Sequence, residues 1–249
     1  MGIKRPKMIL FDYGGTMLCE PDLDHLRGER AVFAHVVRNP RGCTPEELAA
    51  WEHAHFLSRV PVRELGGELT ELQLLRLKYE LHGITLDIPY EEAEDILWSH
   101  ASPMTERCVY PHIREALRAV SERGIRTGVI SNLVWSGRAL KKRIDTLLPD
   151  NRFEFIITSS DYGIRKPDVQ LFRLALAKAG LSPEDAWYCG NDHRKDIAAS
   201  RAAGLFPVWY LGHVEGDRKD GAPEPADTAD VAAITDWNEL PGLIDQESP

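Results

Sequence analysis

The sequence predicts an α/β protein built on a doubly wound parallel sheet, with an α-helical domain inserted into it. Short apolar runs that end in polar residues recur along the second half of the chain, and helical patterns separate them. This alternation is typical of parallel strands joined by crossover helices. One further apolar run, Met8 to Phe11, lies far upstream of the others, beyond a long helical stretch. The interruption predicts that a second unit is inserted after the first strand.

The first strand carries the most informative segment. Met8 to Phe11 is a short apolar run that ends at the carboxylate of Asp12, and Gly14, Gly15 and Thr16 follow directly. Glycines at this point let the backbone turn sharply and approach a ligand closely. In open α/β sheets, ligands bind at the carboxyl ends of the strands, where Asp12 is expected to lie. Taken alone, an aspartate before two glycines is more often a turn cap.

The stretch from residue 18 to residue 107 is predicted to be helical. Its helices are expected over Asp22–Asn39, from Thr44 onward, over Leu69–Leu81 and over Pro89–His100, with no convincing strand between them. Thr44 followed by Pro45 and two glutamates is a strong helix start. We therefore expect residues 18–107 to form a small α-helical domain. Residues 1–17 and 108–249 then make up a discontinuous α/β core.

Strands and helices alternate from Val109 to the end of the chain. Strands are predicted to begin near Ile125, Phe155 and Ala186, and Phe206–Leu211 is predicted as the last strand. The helices expected between and after them are Pro111–Gly124, Trp135–Leu148, Asp168–Gly180, His193–Gly204 and a final short helix over Thr235–Leu243. Gly216–Asp230 is polar and rich in glycine, proline and acids, which predicts a loop.

Polar residues follow each of these core strands. Ser131 and Asn132 end the second, Lys166 lies in the loop after the third, and Asn191, Asp192 and Asp196 follow the fourth. Each is ordinary by itself, since hydroxyls and acids are common helix caps and a Lys-Pro pair is common in surface loops. Together they place a lysine, a hydroxyl and several acids at the same end of a parallel sheet as Asp12.

The amino-acid composition limits the kinds of partner that this chain is expected to bind. The 249 residues carry 30 Lys and Arg against 39 Asp and Glu, and the resulting net charge of −9 disfavours nucleic acid. No apolar run approaches the ~20 residues of a membrane span, and the basic start of the chain lacks a secretory pattern. Four scattered cysteines predict reduced thiols in a cytoplasmic protein. The sequence gives no indication of the oligomeric state.

The four segments resemble, in order and spacing, the four motifs of the haloacid dehalogenase superfamily, a group of mainly phosphate-ester hydrolases. The most specific are Gly163-x-x-Lys166-Pro167-Asp168 and the run from Gly190 through Asp196 to Gly204. The resemblance extends over almost the whole chain. It implies a helical cap over the active site and a small phosphorylated metabolite as the substrate.

The resemblance also implies roles for individual residues. Asp12 is the expected nucleophile, which forms an aspartyl-phosphate, and Lys166 adds a fixed positive charge. Phosphate oxygens are expected to be held by Ser131, Asn132, Lys166 and the loop residues Gly15 and Thr16. Mg²⁺ is the expected cofactor, and its ligands are expected among Asp12, the Gly14 carbonyl, Asn191, Asp192 and Asp196. Of the last three, Asp192 is expected to bind directly and Asp196 through water or structurally.

Two positions depart from the pattern of the phosphatases. Gly14 replaces a second aspartate that acts as general acid and base, and loss of such a group typically costs ~10²–10⁴-fold in rate. Asn191 replaces a metal-binding aspartate, which predicts weaker metal binding. The nearby Glu20, Asp22 and Asp24 are expected to cap and solvate a helix, not to replace the missing acid.

Three functions therefore compete. The leading one is a Mg²⁺-dependent phosphate-ester hydrolase of modest activity. A second is carbon–halogen hydrolysis, which needs no metal and tolerates the glycine at position 14, although the fourth motif is spaced differently in dehalogenases. Phosphonate hydrolysis is weaker, because no Schiff-base lysine is identifiable in the cap. The third is a catalytically impaired protein that binds a phosphorylated ligand and regulates.

Overall fold

A six-stranded parallel sheet forms the centre of the protein in the computed structural model, which describes residues 4–214 and 231–246. The strands are β1 Met8–Phe11, β2 Val36–Arg38, β3 Thr85–Leu86, β4 Arg126–Ser131, β5 Phe153–Thr158, β6 Ala186–Gly190, β7 Phe206–Tyr210 and β8 Ala232–Ile234. The large sheet has the order β5-β4-β1-β6-β7-β8, and all its neighbouring strands are parallel. The predicted α/β class is confirmed.

Helices cover the sheet and fill the inserted segment. They are α1 His25–Phe33, α2 Pro45–Ser58, α3 Val60–Glu64, α4 Glu71–Leu81, α5 Tyr90–Ala101, α6 Ile113–Glu122, α7 Gly137–Leu147, α8 Ser159–Tyr162, α9 Gln170–Ala179, α10 Ala199–Ala202 and α11 Leu240–Ile244. A π-helix, His193–Ala198, runs directly into α10. Among residues 4–214 and 231–246, no helix is both long and apolar enough to cross a membrane.

The strand β1 lies in the middle of the sheet and is buried on both faces. Ile9 and Phe11 belong to the apolar cluster that includes α6, α7 and α11, whereas Met8 and Leu10 belong to the cluster that includes α9 and α10. This division follows from the alternation of side chains along a strand. Because β4 and β6 flank β1, the chain order reverses there, which places Asp12 at the crevice where such sheets bind ligands.

The segment between β1 and β4 is not purely helical, so the prediction that it contains no strand is wrong. Helix α1 ends at Phe33, and β2 and β3 then form a two-stranded antiparallel sheet. The apolar periodicity continues through Val36, but β2 is stabilised by a partner almost fifty residues away. A local pattern does not contain that partner, which explains the error. The boundaries 18–107 for a separate cap stay a prediction.

The C-terminal region also differs from expectation. Phe206–Tyr210 is not the last strand, because β8 adds a parallel edge strand beyond it. Three residues are too few to carry a periodic signal. The predicted final helix is confirmed as a 3₁₀ turn, Trp237–Glu239, that continues into α11. The predicted loop Gly216–Asp230 lies outside the described residues.

A buried ionic cluster joins three helices of the inserted segment. Lys78 on α4 has a fully buried side chain, and its Nζ donates to Glu29 Oε2 on α1 at 2.5 Å and to Glu52 on α2. The Tyr79 hydroxyl donates to the other oxygen of Glu29 at 2.6 Å. Glu71 is also buried, and one of its carboxylate oxygens has no hydrogen-bond partner.

The cluster has more buried acids than its one lysine can balance. Burial and the charges of Glu52, Glu94 and Glu29 raise the pKa of the Glu71 carboxyl well above its ordinary value, while Lys78 opposes them. Folding therefore favours protonated Glu71. Its contribution to stability is complete at low pH and is lost as the pH rises through the pKa of the folded state.

Glu71→Gln should increase the stability of the protein at neutral and alkaline pH. The amide keeps the shape of the protonated acid and cannot ionise, so the gain in Tm over the wild type should grow as the pH rises above the ordinary pKa of a glutamate, about 4.3. Thermal unfolding across that range measures it. Glu52→Gln is the matched control, because it removes a carboxylate that pairs with Lys78 and should cost about 2 kcal/mol. A gain in Tm that does not change with pH would contradict this account of Glu71.

Candidate active site

A buried lysine lies between two carboxylates at the carboxyl end of β1. Lys166 Nζ is 2.9 Å from Asp12 Oδ1 and 2.6 Å from Asp196 Oδ1, and the lysine side chain is 2% exposed. Burial opposes the charge on Lys166, but Asp12 and Asp196 outweigh it and raise the pKa of the ammonium. Burial raises the pKa of Asp196, although Lys166 opposes that effect. The three groups together carry one net negative charge when all are ionised.

Two further acceptors complete the coordination of the ammonium. Lys166 Nζ donates to the Tyr188 hydroxyl at 2.6 Å and to the Ile130 carbonyl at 3.3 Å. Tyr188 in turn donates to the same carbonyl at 2.9 Å. Because four oxygens surround it, the ammonium is held in one position beside Asp12. A sequence reading gives no sign of Tyr188, since a tyrosine inside a buried strand looks like a core residue.

The backbone of Lys166 is held by Asn132. The Asn132 amide accepts from the Lys166 N–H at 2.7 Å and donates to the Lys166 carbonyl at 2.8 Å. Asn132 thereby positions the Lys166 backbone, and its predicted contact with phosphate stays a prediction. The neighbouring Ser131 hydroxyl makes no hydrogen bond within the described parts of the chain and is available to a ligand.

The loop after Asp12 packs against Asn191. Gly15 has a φ of +70°, and a Cβ there would lie 2.4 Å from the Asn191 side-chain nitrogen, so only glycine allows this contact. Thr16 Oγ1 donates to Asn191 Oδ1 at 3.3 Å. At Gly14, in contrast, a Cβ would meet nothing within 4 Å. The position where the phosphatases carry their second aspartate is therefore open space.

Both oxygens of the Asp192 carboxylate contact Lys195. One carboxylate oxygen accepts from the Lys195 backbone N–H at 2.7 Å, and the other pairs with Lys195 Nζ at 2.7 Å. Burial favours the neutral acid, but these contacts hold the pKa of Asp192 below its ordinary value. Asp192 caps the π-helix, and its role as a direct metal ligand stays a prediction. Asn191 is the residue that faces the first loop.

The oxygens near Asp12 fit Mg²⁺ in type but supply little charge. In the described part of the chain, Asp12 Oδ2 has no hydrogen-bond partner and nothing donates to the Gly14 carbonyl. With Asn191 Oδ1 they form a set of hard oxygen donors of the kind that Mg²⁺ takes along with water. Only one of the three donors is a carboxylate, and the described residues contain no cluster of three or more His, Cys, Asp or Glu side chains suited to a metal.

The acids that follow the first loop are occupied elsewhere. Glu20 accepts from the Tyr13 hydroxyl at 3.1 Å, Asp22 pairs with Arg107, and Asp24 caps α1 through the Arg27 N–H. The expectation that Asp22 and Asp24 solvate and cap this region agrees with these contacts. None of these contacts brings a carboxyl group to Asp12 in place of the missing general acid.

Two tryptophan indoles hydrogen-bond the backbone of the loops that follow β1 and β6. Trp237 Nε1 donates to the Thr16 carbonyl at 3.0 Å, and Trp209 Nε1 donates to the Asn191 carbonyl at 3.0 Å. Trp237 comes from the C-terminal 3₁₀ turn and stacks on Tyr210. Sequence reasoning missed both tryptophans, because a bond from an indole to a distant backbone carbonyl leaves no local pattern.

Known proteins share this sequence pattern and fold. A phosphoserine phosphatase from Thermus thermophilus is 29% identical over 47% of this chain and 46% of its own length. A phosphoglycolate phosphatase from Pseudomonas putida is 25% identical over 96% of this chain and 80% of its own length. Several curated relatives are matched over only about half of their length.

Among solved structures, a 2-haloacid dehalogenase from Pseudomonas syringae superposes with a TM-score of 0.65 at 23% identity, covering 96% of this chain and 98% of that one. At this level of identity the likeness establishes the fold alone. A sequence model of the haloacid dehalogenase-like hydrolases matches residues 85–209, half of the chain, and this segment holds Ser131, Lys166 and Asp196. The chain therefore belongs to the haloacid dehalogenase-like hydrolase family.

Proposed function

We propose that this protein is a Mg²⁺-dependent phosphate-monoester hydrolase of modest activity that acts on a small phosphorylated metabolite through a covalent intermediate on Asp12. The observation that carries the proposal is the position of Lys166 Nζ, 2.9 Å from Asp12 Oδ1, while Asp12 Oδ2 has no partner among the described residues. One oxygen is oriented by a fixed cation and the other is available as a nucleophile. The phosphatases among the relatives support this reaction class.

In the proposed first step, Asp12 Oδ2 attacks phosphorus and the bond to the leaving alkoxide breaks. Lys166 holds Asp12 in line and opposes the negative charge of the phosphoryl group. The Ser131 hydroxyl and the backbone amides of the loop after Asp12 donate to the phosphoryl oxygens. In the second step, water attacks the phosphorus of the acyl-phosphate and Asp12 is regenerated.

Mg²⁺ would be held by Asp12, the Gly14 carbonyl and Asn191, and when bound it supplies charge neutralisation for the phosphate. Lys166 alone does not supply enough positive charge, because Asp12 and Asp196 already exceed it by one. The alkoxide has no acidic side chain at position 14 to protonate it. We therefore expect esters with good leaving groups to react faster than alkyl phosphates.

Carbon–halogen hydrolysis is the second candidate, since Asp12 could attack carbon instead of phosphorus. The absence of a cluster of three metal-ligating side chains among the described residues favours it. The same nucleophile serves both reactions, so the product and the metal requirement separate them.

Asp12→Asn should abolish Mg²⁺-dependent release of p-nitrophenol from p-nitrophenyl phosphate. The amide is a poor nucleophile but has the size of the acid, so the fold should be retained. Release of halide from a 2-haloacid without metal would contradict the proposal and identify the protein as a dehalogenase. Absence of any turnover, with retained binding of a phosphate ester, would identify a ligand-binding protein instead.

Gly14→Asp should raise kcat toward alkyl phosphates, by up to ~10²-fold, because it restores a carboxyl group for proton transfer. The structure has room for this side chain, since a Cβ at Gly14 meets no atom within 4 Å. The gain should be smaller for p-nitrophenyl phosphate, whose leaving group needs no proton. Equal changes for the two substrates would contradict the proposed role of position 14.

Asn191→Asp should tighten Mg²⁺ binding, by roughly tenfold, because it adds a second carboxylate to the donor set. Isothermal titration calorimetry with Mg²⁺ alone measures this change without relying on turnover. Asp192→Asn is the matched control, since the Asp192 carboxylate is engaged by Lys195. A larger loss of Mg²⁺ affinity in Asp192→Asn than the gain in Asn191→Asp would return the ligand role to Asp192.

A further inference from the structure

Two arginines share one buried carboxylate beside the loop that carries Lys166, and a third arginine lies near them. Arg63 comes from the end of α3, Arg165 precedes Lys166, and Arg194 lies in the π-helix that holds Asp196. The carboxylate is Glu68, whose side chain is fully buried. Arg63 Nε is 2.9 Å from Glu68 Oε1, and Arg165 Nη1 is 3.2 Å from the same oxygen.

The backbone fixes this arrangement. The segment Gly66–Glu68 pairs with the loop before Lys166, because the Glu68 N–H donates to the Gly163 carbonyl at 3.1 Å and the Arg165 N–H donates to the Gly66 carbonyl at 3.0 Å. Glu68 Oε2 also accepts from the Ser159 hydroxyl at 2.7 Å. Glu68 is therefore a structural carboxylate that joins the inserted segment to the core, and these contacts fix its position.

Positive charge remains in excess at this point. Burial lowers the pKa of Arg165, Glu68 opposes the effect, and the nearby charges of Arg63 and Arg194 lower it further. The guanidinium groups of Arg63 and Arg194 are therefore near enough to the Arg165 guanidinium to disfavour its positive charge. The Arg194 side chain has no hydrogen bond or ion pair within the described residues, and the acid beside it in the sequence, Asp192, is taken by Lys195. Arg63 and Arg165 share the single charge of Glu68, and Arg194 adds a third positive charge near Arg165.

Arginine is also the side chain best suited to bind a planar or tetrahedral anion through several N–H groups. Arg63 and Arg165 each use one nitrogen for Glu68, which leaves other N–H donors. The arginines come from the inserted segment, from the loop before Lys166 and from the loop after β6. Arg165 and Arg194 lie one and two residues before Lys166 and Asp196, whose side chains are in contact, and Arg63 joins them from the inserted segment.

We propose that Arg63, Arg165 and Arg194 form a subsite for a second anionic group, a carboxylate or a phosphate, on the substrate. The inference rests on the proposed function in that the first anion is the phosphate held at Asp12. The preferred substrates are then phosphate esters that carry another negative charge, and neutral-tailed esters bind more weakly.

Binding of inert ligands tests the subsite without requiring turnover. Propylphosphonate, 3-phosphonopropionate and propane-1,3-bisphosphonate share one phosphonate group and a three-carbon skeleton, and they differ in the group at the other end. Calorimetry on the full chain should give about tenfold tighter binding of at least one of the two charged-tail ligands. The carboxylate and the bisphosphonate compounds show which anion is preferred.

Arg194→Gln and Arg63→Gln should each reduce that preference several-fold, and should leave the affinity for propylphosphonate nearly unchanged. Arg118→Gln on α6 removes one charge from the opposite face of the sheet and should preserve the preference. Equal affinity of the wild type for all three ligands overturns the subsite, as does a preference that survives both arginine substitutions.

Turnover separates this inference from the proposed function. Phosphoglycolate and 2-hydroxyethyl phosphate have matched skeletons and differ in a carboxylate. Hydrolysis of both with equal KM refutes the subsite and keeps the hydrolase, whereas charge-dependent ligand binding without hydrolysis keeps the subsite and refutes the hydrolase. Failure of all three phosphonates to bind refutes the subsite, and hydrolysis then decides the proposed function alone.

Discussion

The ion pairs of Lys166 with Asp12 and Asp196 are the interaction on which the site depends. An ammonium and two carboxylates removed from water are costly unless each is compensated at short range. Here the compensation requires the end of β1, the Tyr188 hydroxyl on β6, the π-helix that carries Asp196 and the loop after α8 to meet at one point. Asn132 fixes the backbone of that loop from the end of β4. The geometry around Asp12 is thus a property of the assembled sheet.

The inserted segment presents the same electrostatic problem at a second buried lysine. Lys78 is as deeply buried as Lys166 and is likewise held by two carboxylates and a neighbouring tyrosine. The two clusters differ in the hydrogen bonds of one carboxylate. Both Glu29 oxygens are hydrogen bonded, whereas one oxygen of Asp12 is free within the described residues. Of two buried lysine clusters, one therefore holds helices together and the other can take part in a reaction.

The two substitutions in the motifs have different structural consequences. Gly14 leaves a space where an acid would project, so the lost group is chemical and the surrounding backbone is intact. Asn191 keeps its place against Gly15 and Thr16 and lacks only the charge. Neither change disturbs Lys166 or Asp196. Under the proposed function, the site keeps its nucleophile and its fixed cation but lacks a group for proton transfer and part of its attraction for a divalent cation.

The sequence by itself determined the α/β class, the position of Asp12 at a strand end and the set of polar residues at the same edge. These features depend only on short apolar runs and on the residues that directly follow them. It also predicted a helix start at Thr44, and the structure shows Thr44 and Glu47 bonded reciprocally within one turn at the start of α2. Only the tertiary structure decided the pairing of β2 with β3, the edge strand β8, and the partners of Asn132 and Tyr188. Those outcomes depend on groups that are distant in sequence, and a side chain with two possible partners takes the one that the packed backbone brings within reach.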